Sequence, residues 1–197
     1  MVRPIRLSSL GFGKLVEDTL RRRHRHRQFV GIVALLVIVV LSQPWHAPGL
    51  FWPGAVLAGA GIAIRLWASG HVKKDKELAT GGPYALVRHP LYLGNHLLFI
   101  GFCLTSGLWW SPLVWLGVTL LYYPPAIRHE DAKLESLFGE AWRRWRAVTP
   151  AIVPRLRRPA ASLGGRWSLA QSLKANGEPI IAAVLVALLW VVHQRIP

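Results

Sequence analysis

Two short runs hold most of the reactive polar side chains: Arg88-His89-Pro90-Leu91-Tyr92-Leu93-Gly94 and Arg128-His129-Glu130-Asp131. In the first, proline suits the opening position of a helix, where its missing N–H forfeits no hydrogen bond. A helix starting there presents free backbone N–H groups and the positive end of its dipole, which together favour an anion. Arg88 and His89 add to that preference, and Gly94, one turn further on, lets a ligand or a neighbouring helix approach the backbone. The same two basic residues would equally mark a membrane boundary. In the second run, four ionisable residues follow the apolar Pro124-Pro125-Ala126-Ile127. Carboxylates at such a boundary call for a partner, either a cationic ligand or an ion pair with Arg65 or Arg88. They also suit the first turn of an amphipathic helix opening near Glu130. Asn95 and His96 lie inside an apolar run, where polar groups face protein or a cavity. Arg65, near the inner end of another such run, either snorkels to the interface or faces a polar cavity.

Other chemistries lack their residues. Gly11-Phe12-Gly13 is not part of a dinucleotide fingerprint, and no HExxH, P-loop or G-x-S-x-G occurs. Cys103 is the one cysteine and lies in an apolar run, so neither an intrachain disulfide nor a thiol zinc site is expected, and no metal is called for.

The elements that must position these residues are apolar helices. Hydrophobic residues make up 52% of the 197 and charged residues 17%, below the share of about 25% in soluble domains. The apolar residues form blocks that are hydrophobic all round, as lipid-facing helices are. The net charge of +15 is distributed by position: Lys and Arg gather in residues 1–28, 70–90 and 128–178, while the connections around 44–50 and 106–111 have none. That alternation follows the positive-inside rule and places the N-terminus and both long connections in the cytoplasm, against nucleic-acid binding. Spans are expected at about 29–45, 50–69, 90–104 and 113–127, with a shorter fifth at 179–192. Ala55, Gly59 and Ala63 form a small-residue stripe on the second. Leu134, Leu137, Phe138, Ala141, Trp142 and Trp145 recur at helical spacing and predict a separate cytoplasmic amphipathic helix. Residues 155–178 read as a basic loop. Residues 1–28 read as a basic cytoplasmic segment with a weakly amphipathic helix through Leu7, Leu10, Leu15, Val16 and Leu20, and no removable signal peptide is expected. The expected fold is an all-α bundle of four to five spans.

Together the two runs carry a resemblance. Gly82-Pro83-Tyr84-Ala85-Leu86-Val87-Arg88-His89-Pro90-Leu91-Tyr92-Leu93-Gly94 resembles the RHPxYxG signature of the isoprenylcysteine carboxyl methyltransferase and phospholipid methyltransferase family. Glu130-Asp131, Leu134, Phe138-Gly139, Trp142 and Trp145 resemble that family's EExxLxxxFGxxYxxY segment, and residues 148–154 fall where its VPRxxP-like ending lies. The likeness covers about residues 50–157. Asp131 replaces the second Glu, Trp142 and Trp145 replace Tyr, and Ala151 stands where Arg is frequent.

The resemblance implies a prokaryotic integral membrane enzyme that transfers a methyl group from S-adenosylmethionine to a lipophilic acceptor entering from the bilayer. With the span pattern, it gives a chain divided into a basic segment (1–28), a first transmembrane hairpin (29–69), a methyltransferase core (70–157) and a basic linker with a C-terminal span (158–197). It implies cofactor contacts from Tyr84, Leu86, Val87, Arg88, His89, Tyr92, Gly94, Glu130 and Asp131, and catalytic roles for Arg128, His129 and Glu130. Arg65, Asn95 and His96 are the expected acceptor contacts, with Arg128 a further candidate for the polar head. A carboxylate acceptor needs no base, whereas an amine or thiol must lose a proton, to His129 or His96. Two other readings fit the same motif pair, an NADPH-dependent sterol-type reductase and a non-catalytic membrane scaffold.

Overall fold

A computed structural model describes residues 29–72, 76–154, 164 and 167–197. The N-terminal basic segment and its amphipathic helix, and most of the 155–166 stretch, lie outside the described residues. Those described form helices joined by turns, without a strand. In chain order the helices are α1 (Phe29–Leu41), α2 (Phe51–Ser69), α3 (Pro90–Ser106), α4 (Ser111–Val148), α5 (Leu169–Asn176) and α6 (Glu178–His193).

Prolines set the starts. Pro44 and Pro48 open two 3-10 turns that reverse the chain between α1 and α2, and Pro90 occupies the first position of α3. One helix, Pro48–Ser69 with its leading turn, is long and apolar enough to cross a membrane by length and composition. Phe29–Leu41 and Glu178–His193 are apolar but shorter.

α2 and α3 form the centre, and their contact is made of backbone. A β-carbon on Gly101 would lie 2.6 Å from the Gly54 carbonyl oxygen, and one on Gly61 would lie 2.7 Å from that of Gly94. Small residues let the two helices meet at this separation. The stripe differs from the one expected. Gly59 has nothing within 4 Å of its β-position, and the buried face is Gly54, Ala58 and Gly61. A helix apolar on every side gives no moment to show which face packs, so only the partner glycines of α3 reveal it. α6 lies against α2 and α3, and Phe51, Ala58, Ile62, Leu98, Phe102, Leu185 and Val192 share one core cluster. Arg195, just past α6, donates to the carbonyls of Val39 (2.8 Å) and Val40 (3.0 Å) near the end of α1.

Two further expectations are corrected. No second helix opens at Glu130; α4 runs on through Pro124 and Pro125 to Val148. Its break falls at Gly139 (φ 52°, ψ −120°), a conformation that glycine adopts readily because it has no β-carbon. Glu130 and Asp131 therefore lie mid-helix, where the dipole of a helix start does not explain them. Leu137 and Ala141 are exposed, and Trp142 is the fully buried member of the amphipathic set. The second correction is α5, within the stretch expected to be loop. The Ser168 hydroxyl accepts from the Gln171 N–H at 3.3 Å, and Gly177 at φ 64° ends the helix, so both caps were present in the sequence.

Candidate active site

The site forms where the start of α3 meets the middle of α4. Gly82, at φ 59°, opens a tight turn through Ala85 whose four residues are buried. The following residues are held by the segment after α4: the Arg88 N–H donates to the Pro150 carbonyl (2.8 Å) and the His89 N–H to that of Ala151 (3.0 Å). The two motifs are thus joined by main chain as well as by side chains. Ala151, a departure from the family pattern, takes part through its carbonyl, which any residue supplies.

Asp131 sits between both basic residues of the first motif. Its Oδ1 lies 2.9 Å from His89 Nε2, and its Oδ2 lies 3.2 Å from Arg88 Nη2. Glu130, one residue back, accepts the Tyr92 hydroxyl at 2.6 Å and stands 3.7 Å from His89 Nδ1. The His89 ring stacks on Tyr92 with centroids 5.3 Å apart and planes 15° from parallel. Burial lowers the proton affinity of Arg88, with Asp131 opposing that effect and Arg146 reinforcing it. The guanidinium lies 5.6 Å from the ring centre of the buried Trp142, within the range of a cation–π contact. Tryptophan in place of tyrosine therefore keeps an aromatic face for Arg88. The buried Arg88 Nε has no hydrogen-bond partner among the described residues. Buried donors in that state are uncommon and invite a ligand or water.

A shallow cleft, open to solvent, is lined by Tyr84, Arg88, His89, Pro90, Leu91, Tyr92 and Glu130. The Tyr84 hydroxyl holds its proton well above its ordinary value, first because it is buried and then because Glu130 and Glu178 oppose its negative charge.

Glu178 belongs to a second polar cluster deeper along α3. Arg65 Nε and Nη2 donate to the two carboxylate oxygens of Glu178 at 3.0 and 2.6 Å, and Nη1 donates to the Asn95 amide oxygen. Sequence reasoning missed Glu178. The available signal was an isolated acid directly before the last apolar run, opposite an arginine embedded in another.

The expected site residues are distributed unevenly around this geometry. Tyr84, Arg88, His89, Tyr92 and Glu130 line the cleft, and Asp131 underpins it. Val87 is buried and Leu86 half-buried in the preceding turn, outside the lining. Gly94 packs against Arg65 and Gly61, so its openness serves a helix rather than the cleft. Arg65 and Asn95 are brought together, whereas His96 packs on Tyr123 at 4.3 Å. Neither His129 nor Arg128 lines the cleft; Arg128 is exposed, and its Nε donates to the Pro124 carbonyl at 3.3 Å.

The comparisons agree with this motif pairing. The phospholipid methyltransferase family matches residues 54–141, which hold the first motif and the second from Glu130 through Gly139. The chain is 33% identical over 152 residues to the cobalt-zinc-cadmium resistance protein CzcN of Cupriavidus metallidurans, covering 71% of this chain and 68% of the relative. It is 29% identical over 106 residues to the protein-S-isoprenylcysteine O-methyltransferase of Schizosaccharomyces pombe, covering 54% and 45%. It is 35% identical over 71 residues to the methanethiol S-methyltransferase of Crocosphaera subtropica, covering 36% and 27%. No solved structure matches the chain. With the first segment and the acidic start of the second matched, and the two folded against one another around one cleft, the chain belongs to the isoprenylcysteine carboxyl methyltransferase and phospholipid methyltransferase family of membrane methyltransferases.

Proposed function

We propose that this protein is a polytopic membrane methyltransferase that uses S-adenosylmethionine to methylate a lipophilic acceptor at the cytoplasmic side of a prokaryotic membrane. The observation that carries the reading is the cleft between the start of α3 and Glu130, where cationic and anionic groups stand side by side. The donor's chemistry suits that mixture. Its carboxylate matches a helix N-terminus flanked by Arg88, whose buried Nε lacks a partner among the described residues, and its ammonium and sulfonium match Glu130.

When bound, the cofactor would supply a methyl carbon on a sulfonium sulfur, the bond breaking with its electron pair left on sulfur. The residues of the chain bind and align. Asp131 fixes Arg88 and His89, while Tyr92 fixes Glu130, so each wall group is held by a second. Displacement reactions gain chiefly from such alignment.

Membrane insertion is supported by large apolar residues left exposed on several helices: Phe29, Val40, Trp52, Val56, Leu113, Leu120, Leu121, Ile180 and Trp190. In this reading α1, α2, α3, the first part of α4 and α6 are the spans, and the basic connections fix the cleft at the cytoplasmic face. The acceptor then reaches the cleft from the bilayer past Arg65 and Asn95.

Titration calorimetry of the detergent-purified chain tests the proposal. S-adenosylhomocysteine should bind and NADPH should not. Saturable NADPH binding without S-adenosylhomocysteine binding would replace this reading with the sterol-type reductase, and binding of neither would leave a scaffold.

A further inference from the structure

Resting on the methyltransferase reading, we propose that the buried Arg65–Glu178 pair makes the acceptor site selective for an uncharged nucleophile bearing a proton, such as a lipophilic thiol, and against a carboxylate. Arg65 is the cation an acceptor carboxylate would meet on the bilayer side of the cleft. All three of its guanidinium nitrogens are already engaged, two by Glu178 and one by Asn95. The pair is well shielded, with side-chain exposures of 15% for Arg65 and 4% for Glu178. A fork of this kind matches one carboxylate, and here the chain supplies its own.

The cluster belongs with the cleft. Asn95 follows Gly94 one turn into α3 from the Pro90 and Leu91 wall, and a β-carbon at Gly94 would lie 2.6 Å from Arg65 Cγ. Tyr84, on the cleft wall, feels both Glu130 and Glu178. Glu178 is thus taken up by Arg65 in this cluster, while Asp131 is taken up by Arg88 and His89 beside the cleft. At Arg65 a further buried anion would need the expulsion of Glu178, and an uncharged head does not. Methylating an S–H group replaces its proton with the methyl group. The released proton goes to the Glu130 carboxylate on the cleft wall.

The test uses S-decyl thioglycolate, its methyl ester and decanethiol as probes of the full chain in detergent, with affinities measured with and without S-adenosylhomocysteine. The wild type should bind the ester and the thiol at least tenfold more tightly than the carboxylate. Glu178→Gln, which frees the Arg65 charge while keeping a hydrogen-bonding side chain, should erase or reverse that ratio. Equal or tighter binding of the carboxylate by the wild type overturns the proposal and needs no variant. An unchanged ratio in folded Glu178→Gln overturns it as well. Failure of S-adenosylhomocysteine to bind counts against the methyltransferase reading alone, because the probe ratio is also measured in its absence.

Discussion

His89 Nε2 lies 2.9 Å from Asp131 Oδ1, joining two buried side chains 42 residues apart in the sequence. Because Arg88 holds the other oxygen of the same carboxylate, one aspartate sets the position of both basic residues at the start of α3. Asp131 is thereby a buried link between the two motifs beside the Tyr92–Glu130 bond, and its shorter reach relative to glutamate is matched by direct contact with the imidazole.

Removing that link should be expensive. Breaking a buried charge pair by truncating one partner costs about 3–5 kcal/mol. Asp131→Ala is expected to lower the melting temperature in detergent and to weaken S-adenosylhomocysteine binding at least tenfold. A double-mutant cycle with His89→Ala should show coupling of about 1–3 kcal/mol in stability, since the two residues share one contact. Additive effects would show that the pairing contributes nothing of its own.

Glu130 is different, because its side chain is partly open to the cleft and it accepts the Tyr92 hydroxyl. Glu130→Ala should leave expression and melting nearly unchanged while weakening S-adenosylhomocysteine binding at least tenfold. Tyr92→Phe removes only the 2.6 Å hydrogen bond that aims the carboxylate, so a smaller loss in the same direction is expected. Calorimetry on the two variants checks both, and unchanged affinity in Glu130→Ala would mean the carboxylate is merely structural.

Much of this site was legible because its parts are local. Pro90 announces the start of α3, and the expected span over 50–69 matches α2 at Phe51–Ser69 to within a residue. Glu130 and Asp131 were visible as acids at a boundary, with Arg88 among their possible partners, and the geometry pairs Arg88 with Asp131. What stayed hidden depends on tertiary placement. The packing face of α2 is set by Gly94 and Gly101 of another helix, and Glu178 reaches Arg65 across 113 residues. The change from apolar to ionisable residues after Ile127 suggested a boundary, yet the chain continues helical through it and breaks at Gly139 instead.

Alkaline pH should expose the burial of Tyr84. Its folded-state pKa is raised above the ordinary value of 10.0, so the folded state keeps the proton after the unfolded state has lost it. The sign is that of stability fully present below pH 10 and lost as pH rises beyond it, at about 1.4 kcal/mol per pH unit for one proton. Tyr84→Phe carries no such proton. Thermal melts between pH 9 and 12 should therefore show the wild type losing stability more steeply than the variant, and parallel curves would place the hydroxyl in water.

The contact between α2 and α3 makes the sharpest contrast between two glycines. At Gly101 a β-carbon would lie 2.5 Å from the Ala58 backbone nitrogen and 2.6 Å from the Gly54 carbonyl oxygen, and neither backbone atom can rotate away. Gly101→Ala should therefore force the helices apart, at a cost of about 1–3 kcal/mol for overpacking. It should also weaken S-adenosylhomocysteine binding, because Pro90 and Leu91 on the cleft wall open the same helix. At Gly59 nothing lies within 4 Å, so Gly59→Ala meets no neighbour and gains up to about 1 kcal/mol of helix propensity. Melting both variants in the same detergent decides between the faces. Destabilisation by Gly59→Ala with Gly101→Ala tolerated would return the contact to the Ala55–Gly59–Ala63 stripe.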